Sequence, residues 1–231
     1  MRHLLMLIIF ASALPASAKD YGDSLEAWDG SGYLESTGDE ARVSVERLER
    51  LDLSKLRPEE VLFWLYPQEP LPTSDLKAFM REGGHVILAD DAGASEAFLE
   101  AFGLQRKGLM REELEASEVD FYRDLPHLPI LRAPPGHFLF FNVDEVVANH
   151  GVMLHGAGEV ILPLSPTLEG GVIVEITLGA GALLVIGDPS MFLNAMLRRF
   201  YGNKQLAANL MRYYCASDPC SLKLLSPRTQ V

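Results

Sequence analysis

Bases are scarce in this sequence: 20 lysines and arginines face 32 aspartates and glutamates, for a net charge of −12. Such an excess repels phosphate backbones and anionic headgroups, which argues against a nucleic-acid partner and against electrostatic docking on a membrane. Long apolar runs are missing beyond the N-terminus. No later segment reaches the ~18 uninterrupted apolar residues of a spanning helix, so no stable membrane span is expected. The familiar chemical signatures are absent too. There is no Gly-x4-Gly-Lys-Ser/Thr phosphate loop, no Gly-x-Gly-x-x-Gly after a strand, no His-Glu-x-x-His and no Gly-x-Ser-x-Gly elbow. His150 and His155 are five apart, so they do not share a helix face as zinc ligands four apart would, and His85 opens a strand. Neither a cofactor nor a metal is expected.

What is present is ordinary globular material: 48% apolar and 23% charged residues, with 19 glycines and 14 prolines. That composition excludes disorder, collagen and coiled coil as whole-chain descriptions. The first eighteen residues have the parts of an export signal. Arg2 is the positive region, Leu4 to Leu14 the apolar stretch, and Ala16-Ser17-Ala18 the small-x-small cleavage site after Pro15. The apolar stretch is about half of the ~20 residues a bilayer demands. A retained N-terminal anchor is the alternative. The expected location is periplasmic or secreted. There an oxidising environment makes Cys215 and Cys220 a candidate disulfide, with Asp218-Pro219 turning the chain between them. Free thiols, or a redox or metal pair, are the competing readings.

Residues 19–214 read as a single α/β domain, with an irregular insertion at about 105–140, and residues 215–231 as a C-terminal tail carrying the cysteine pair, loose after Cys220. Val61 to Tyr66 and His85 to Ala89 are continuous apolar runs, expected as buried strands. Arg42 to Leu48 alternates as an edge strand would. A helix is expected through Arg81, capped by Thr73 or Ser74 and burying Leu76, Phe79 and Met80. Another is expected over about Ser95 to Phe102, with Ala97, Phe98, Ala101 and Phe102 inward. Phe138 to Phe141 reads as a core cluster. Gly179-Ala180-Gly181 joins Val172–Leu178 to Leu183–Ile186 as a hairpin, and two helical patterns follow, around Phe192–Leu197 and Leu206–Tyr214.

The candidate site is acidic. Asp90 and Asp91 follow one expected strand and Asp188 follows another, and in open α/β sheets ligands bind outside the strand carboxyl ends. These carboxylates, with Ser190 and Asn194 nearby, are candidate ligand-binding residues. The competing reading, which is favoured, is that each aspartate caps the helix after it, with Pro189 in the first turn. For Asn194, expected partners are the insertion or residues 149–159.

The segment Leu183-Leu-Val-Ile-Gly-Asp188-Pro189-Ser190-Met-Phe-Leu-Asn194, then Gly202-Asn203-Lys-Gln-Leu-Ala-Ala-Asn209, resembles the end of a bacterial family called domain of unknown function 4350. Val61-Leu-Phe-Trp-Leu-Tyr-Pro67 and Leu76 through Gly83-Gly84 to Asp90-Asp91 are similar to it as well. The resemblance spans about 28–214 with the middle unmatched. It implies a relation to GldG-like segments of gliding-motility transport proteins. It also implies a flavodoxin-like, class I glutamine-amidotransferase-like sandwich with a mostly parallel sheet and a C-terminal β-hairpin. Amidotransferases of that fold carry a cysteine nucleophile after a strand, whereas Ala89 is followed here by Asp90-Asp91-Ala92-Gly93. The resemblance thus implies the sheet without the amide hydrolysis. It also implies an envelope partner, from a transporter or a system linked to an AAA-type ATPase.

Two functional classes follow. The leading one is an exported, non-catalytic domain binding a protein or ligand in a cell-envelope assembly. The alternative is a metal-dependent hydrolase using Asp90, Asp91 and Asp188. For export, the expected outcome is a mature N-terminus at Lys19, read by N-terminal sequencing of the extracytoplasmic fraction. Cytosolic protein that retains Met1 would refute it.

Overall fold

The computed structural model describes residues 21–108, 111–117, 119–215 and 221–227. The signal segment and Cys220 lie outside them, so the cleavage site and the Cys215–Cys220 pairing fall outside the described residues.

In chain order the elements are α1 (Gly32–Ala41), β1 (Ser44–Arg47), β2 (Val61–Leu65), α2 (Thr73–Arg81), β3 (His85–Ala89), α3 (Glu96–Ala101) and β4 (Leu104–Gly108). Then come α4 (Arg111–Ala116), β5 (Asp120–Phe121), β6 (Pro129–Arg132), β7 (Glu145–Val147), β8 (Val152–Gly156) and β9 (Glu159–Pro163). The last are β10 (Gly171–Leu178), β11 (Gly181–Ile186), α5 (Asn194–Arg199), α6 (Tyr201–Tyr213) and β12 (Ser221–Leu225). The main sheet has nine strands in the order β1-β12-β2-β3-β11-β10-β8-β4, with β9 also on β10. From β1 to β11 the neighbours run parallel, while β10 is antiparallel to β11, β9 and β8, and β4 to β8. A second sheet, β5-β6-β7, is antiparallel.

Period-2 alternation divides each central strand between two cores. Val61, Phe63 and Leu65 of β2 join Ile87 of β3 and Leu184 and Ile186 of β11 on the face covered by α1, α5 and α6. Leu62, Trp64, Val86, Leu88, Leu183 and Val185 point the other way, onto Leu76, Phe79 and Met80 of α2 and Phe98 and Leu99 of α3. Helices on both faces explain why these strands are apolar throughout.

Several expectations need correction. The stretch 105–140 is not irregular. β4 extends the main sheet as an edge strand, with polar Gln105 and Lys107 facing solvent and Arg106 turned inward, so no apolar run marks it. Further on, β6 pairs with β5 and β7. Nor is the stretch directly after Cys220 loose. Ser221–Leu225 forms β12, an interior strand between β1 and β2 that buries Leu222, Leu224 and Leu225. Lys223 breaks its apolar pattern, and its ammonium meets Glu46 and the buried Glu60. Neither Thr73 nor Ser74 caps α2, which begins at Thr73 after Pro72 without a side-chain cap. In α3 the inner face is Phe98, Leu99 and, just beyond, Phe102, with Ala97 and Ala101 exposed. Phe138 and Phe141 flank a 3-10 turn whose three-residue repeat puts both outside, at 52% and 63% exposure, while Leu139 and Phe140 are buried.

Because β12 joins β1 to β2, its leucines carry weight well beyond their position in the chain. Leu224→Ala is expected to lower unfolding free energy by about 2–5 kcal/mol in urea titration. A loss under about 0.5 kcal/mol, the scale of an ordinary surface substitution, would show that β12 is dispensable.

Candidate functional site at the strand carboxyl ends

The register aligns Leu65, Ala89 and Ile186 across β2, β3 and β11. The residues that follow therefore emerge at one end of the sheet, and Asp90, Asp91 and Asp188 come together there as the sequence suggested. What each carboxylate does is now specific.

Asp90 is fully buried. Its Oδ1 accepts from Gly93 N–H at 2.6 Å, and its Oδ2 accepts from the Ser95 hydroxyl, Ser95 N–H and Arg106 at 3.0 Å. Arg106, on β4, is held in turn by Glu96. Burial drives the Asp90 carboxyl above its ordinary range, and these donors and the guanidinium pull against that. Arg106 had been hidden inside the supposed insertion, and only pairing of β4 with β8 brings it to the aspartate.

Asp188 is also fully buried. As expected of a cap, it accepts from Ser190 N–H, at 3.0 Å, opening a 3-10 turn over Pro189–Phe192. Its other oxygen accepts from Asn149 N–H, which ties down the loop before β8. The Ser190 hydroxyl has two acceptors beside it, Asp188 Oδ1 and the Asn149 carbonyl at 2.8 Å, and only one proton. A protonated Asp188 satisfies all three groups: it donates to Ser190 Oγ, which donates to Asn149. Burial pushes this carboxyl up to about 7, with the Asp91 charge adding to the rise and the Ser190 and Asn149 hydrogen bonds opposing it.

Asn194 is buried at the first position of α5. Its amide donates to the carbonyls of Ser24 and Ala27, each at 2.7 Å, and its oxygen accepts from Tyr33 N–H at 2.7 Å. The expected partners were the insertion or residues 149–159. The actual partner is the N-terminal loop, which approaches close enough that a Cβ on Gly30 would meet Asn194 Nδ2 at 2.9 Å. Gly202 and Asn203, also part of the recognised motif, act alike. Gly202 lets α6 lie against Glu145 O, and Asn203 brackets both polar groups of the Val147 peptide at 2.8 Å.

Asp91 is the exception. Its Oδ1 is buried and has no hydrogen-bond partner among the described residues. Burial first, then the neighbouring Asp90 charge, raises this carboxyl to about 6. Among the described residues, no group of three or more histidine, cysteine, aspartate or glutamate side chains is arranged to hold a metal ion.

Beside this aspartate cluster, at the same end of the sheet, lies a cavity of about 780 Å³. It is a cleft open to solvent, lined by the segments after β1 (49–54), β2 (66–72) and β12 (225–227). Tyr66, on its wall, has φ +48°, a left-handed backbone costly for a large side chain, and stacks on Tyr21 at 5.1 Å. Sequence reading missed this cavity because its walls are distant in the chain. The one local signal was Val61–Tyr66 closing directly on Pro67.

The upward shifts of Asp91 and Asp188 set a pH dependence. From the ordinary aspartate value of 3.8 to about pH 7, the folded protein holds more protons than the unfolded chain. Stability contributed by the protonated carboxyls is therefore present at low pH and lost as pH rises through that window. Asp91→Asn is expected to flatten the fall between about pH 4 and pH 6 and to stabilise the protein at pH 8 by on the order of 1–3 kcal/mol. Urea unfolding across that range checks this, and a loss of stability at pH 8 would contradict it.

Comparison with known proteins agrees with this architecture. The structure is similar to one titled "mmIFT52 N-terminal domain", with a TM-score of 0.62 at 15% identity, covering 80% of this chain and 91% of that one. It is also similar to a β-galactosidase from Bacillus circulans sp. alkalophilus, with a TM-score of 0.50 at 14% identity. That match covers 82% of this chain but only 28% of the enzyme. At such identities the likeness is one of fold. No curated protein matches the chain. A family model described as Domain of unknown function (DUF4350) matches residues 23–211, from the N-terminal loop held by Asn194 to the end of α6, and the chain belongs to that family.

Proposed function

We propose that this is an exported, non-catalytic binding domain, serving a protein partner within a cell-envelope assembly such as a transporter or a system linked to an AAA-type ATPase. Its sheet is read as flavodoxin-like and related to the GldG and amidotransferase folds, without their nucleophile. The observation that carries the reading is how the strand-end carboxylates are engaged. Asp90 and Asp188, which a hydrolase would aim at substrate or metal, accept instead from Gly93, Ser95, Asn149 and Ser190 inside the fold. Each of those bonds supports a loop, so either aspartate is committed before any ligand arrives. The apolar stretch at Leu4–Leu14 and the Ala16-Ser17-Ala18 site support export. Among the described residues, no helix is long and apolar enough to cross a membrane.

The competing hydrolase has one point in its favour, the unpartnered Oδ1 of Asp91. Assays with glutamine, and with chromogenic phosphate and carboxylic esters under magnesium, manganese or zinc, distinguish the two. The expected outcome is no turnover above the blank. Turnover that disappears in Asp91→Asn, while the melting temperature is kept, would overturn the non-catalytic reading.

A further inference from the structure

We propose that residues 148–151, the strap that carries the chain from the second sheet to the main sheet, form a proton-controlled latch. The strap stays closed over Asp188 while that carboxyl keeps its proton, and it opens when the proton leaves. This goes beyond the binding reading and does not depend on it.

The closed strap is held on two sides. It leaves β7 and enters β8. Toward the second sheet, Ala148 N–H donates to Pro129 O at 3.0 Å and His150 N–H to His127 O at 3.1 Å. Toward the end of β11, Asn149 N–H donates to Asp188 Oδ2, the Ser190 hydroxyl to Asn149 O at 2.8 Å, and Val152 N–H to Gly187 O at 2.8 Å. A Cβ on Gly151 would stand 2.8 Å from the Asp188 Cβ, so strap backbone lies directly on this side chain.

A count of protons sets the state of the latch. Ser190 Oγ carries one hydrogen and lies between two acceptors, Asp188 Oδ1 and the strap carbonyl of Asn149. The Asp188 proton supplies the missing donor. Without it, either the strap carbonyl is orphaned or a buried carboxylate oxygen faces the Ser190 lone pairs, and either outcome is costly. No base offsets the charge. Asp90, equally buried, has Arg106 at 3.0 Å, whereas the groups acting on Asp188 are Ser190, Asn149 and another acid, Asp91. On the outer side of the strap the rings of His127 and His150 stack at 5.0 Å, and His150 Nδ1 meets Asn149 Oδ1 at 3.0 Å. Burial first, then the His127 charge, holds His150 below its ordinary value, so it brings Asp188 no cation when that carboxyl ionises at about 7. An ionised Asp188 therefore has to reach water. Its inner wall does not yield, because Pro189, Ser190, Met191 and Phe192 are all buried. In the strap, Asn149 is half-buried and His150 exposed, so little apolar contact resists opening there.

Amide hydrogen exchange on the full chain tests this, read residue by residue and expressed as protection relative to the intrinsic rate at each pH. A carboxyl whose value is raised only in the closed state costs closure up to about tenfold per pH unit above that value. Protection of Asn149 and His150 is expected to fall at least about tenfold between about pH 7 and about pH 9. Gly93 N–H, which donates to the Arg106-paired Asp90, is expected to keep its protection over the same range. In Asp188→Asn the new amide can donate to Ser190 Oγ as the acid proton does, so strap protection should stay level to pH 9. The carboxyl-carbon shift of Asp188 in the unsubstituted chain gives a readout that needs no variant: its midpoint should coincide with the loss of strap protection. The proposal is overturned if strap protection is unchanged from pH 7 to pH 9, or if Asp188→Asn loses it equally. It is also overturned if Gly93 loses protection in parallel, which would mark general unfolding, or if Asp188 titrates more than about one pH unit away from the opening.

Discussion

A loop can be buried only if its backbone N–H and C=O groups find partners, and that constraint governs this molecule. Loops and the ends of short elements pack against the sheet and its helices, and buried polar side chains satisfy their backbone groups one by one. Asp90 holds the turn at 93–95, Asp188 the loop at 149, and Asn194 the loop from Ser24 to Tyr33. Asn203 holds Val147, and Asn209 donates to the carbonyls of Leu139 and Phe141. Losing any of them strands several backbone groups, each at about 1–3 kcal/mol. The recognised motif, from Asp188 through Asn194 to Gly202, Asn203 and Asn209, is thus a set of ties for loops.

The same constraint explains how much was legible. Strands buried on both faces announce themselves as apolar runs, and β2, β3 and β11 did so; the hairpin turn at Gly179–Gly181 was equally plain. The capping role of Asp188 could be read because a cap and its helix are adjacent in sequence. The partner of Asn194 could not, because its loop lies more than a hundred and fifty residues away. β4 and β12 were obscured by charge for different reasons. β4 is an edge strand with a solvent-facing side, whereas Lys223 of β12 reaches acids supplied by other segments. In each case the residue's partner is set by topology, which local pattern does not encode.

The acidic character of the chain divides in a similar way. Some carboxylates look inward and are held by donors, as at Asp90; others line the cavity, as at Glu69 and Asp75. Composition alone gives both groups the same weight. Burial raises the inner carboxyls Asp90 and Asp188, which therefore answer pH through proton uptake, while the exposed charges of Glu69 and Asp75 are open to screening by salt.

The interior position of β12 has a consequence for the order of assembly. β1 and β2 do not pair with each other; the strand between them comes from residues 221–225. A nascent chain that has already formed β2, β3 and β11 therefore carries an open apolar edge on β2 until residues 221–225 have emerged. Such an edge invites pairing with other chains. The arrival of one short late segment covers that edge by placing β12 between β1 and β2. Closure of the sheet beside β2 thus waits on a segment supplied long after β2 itself.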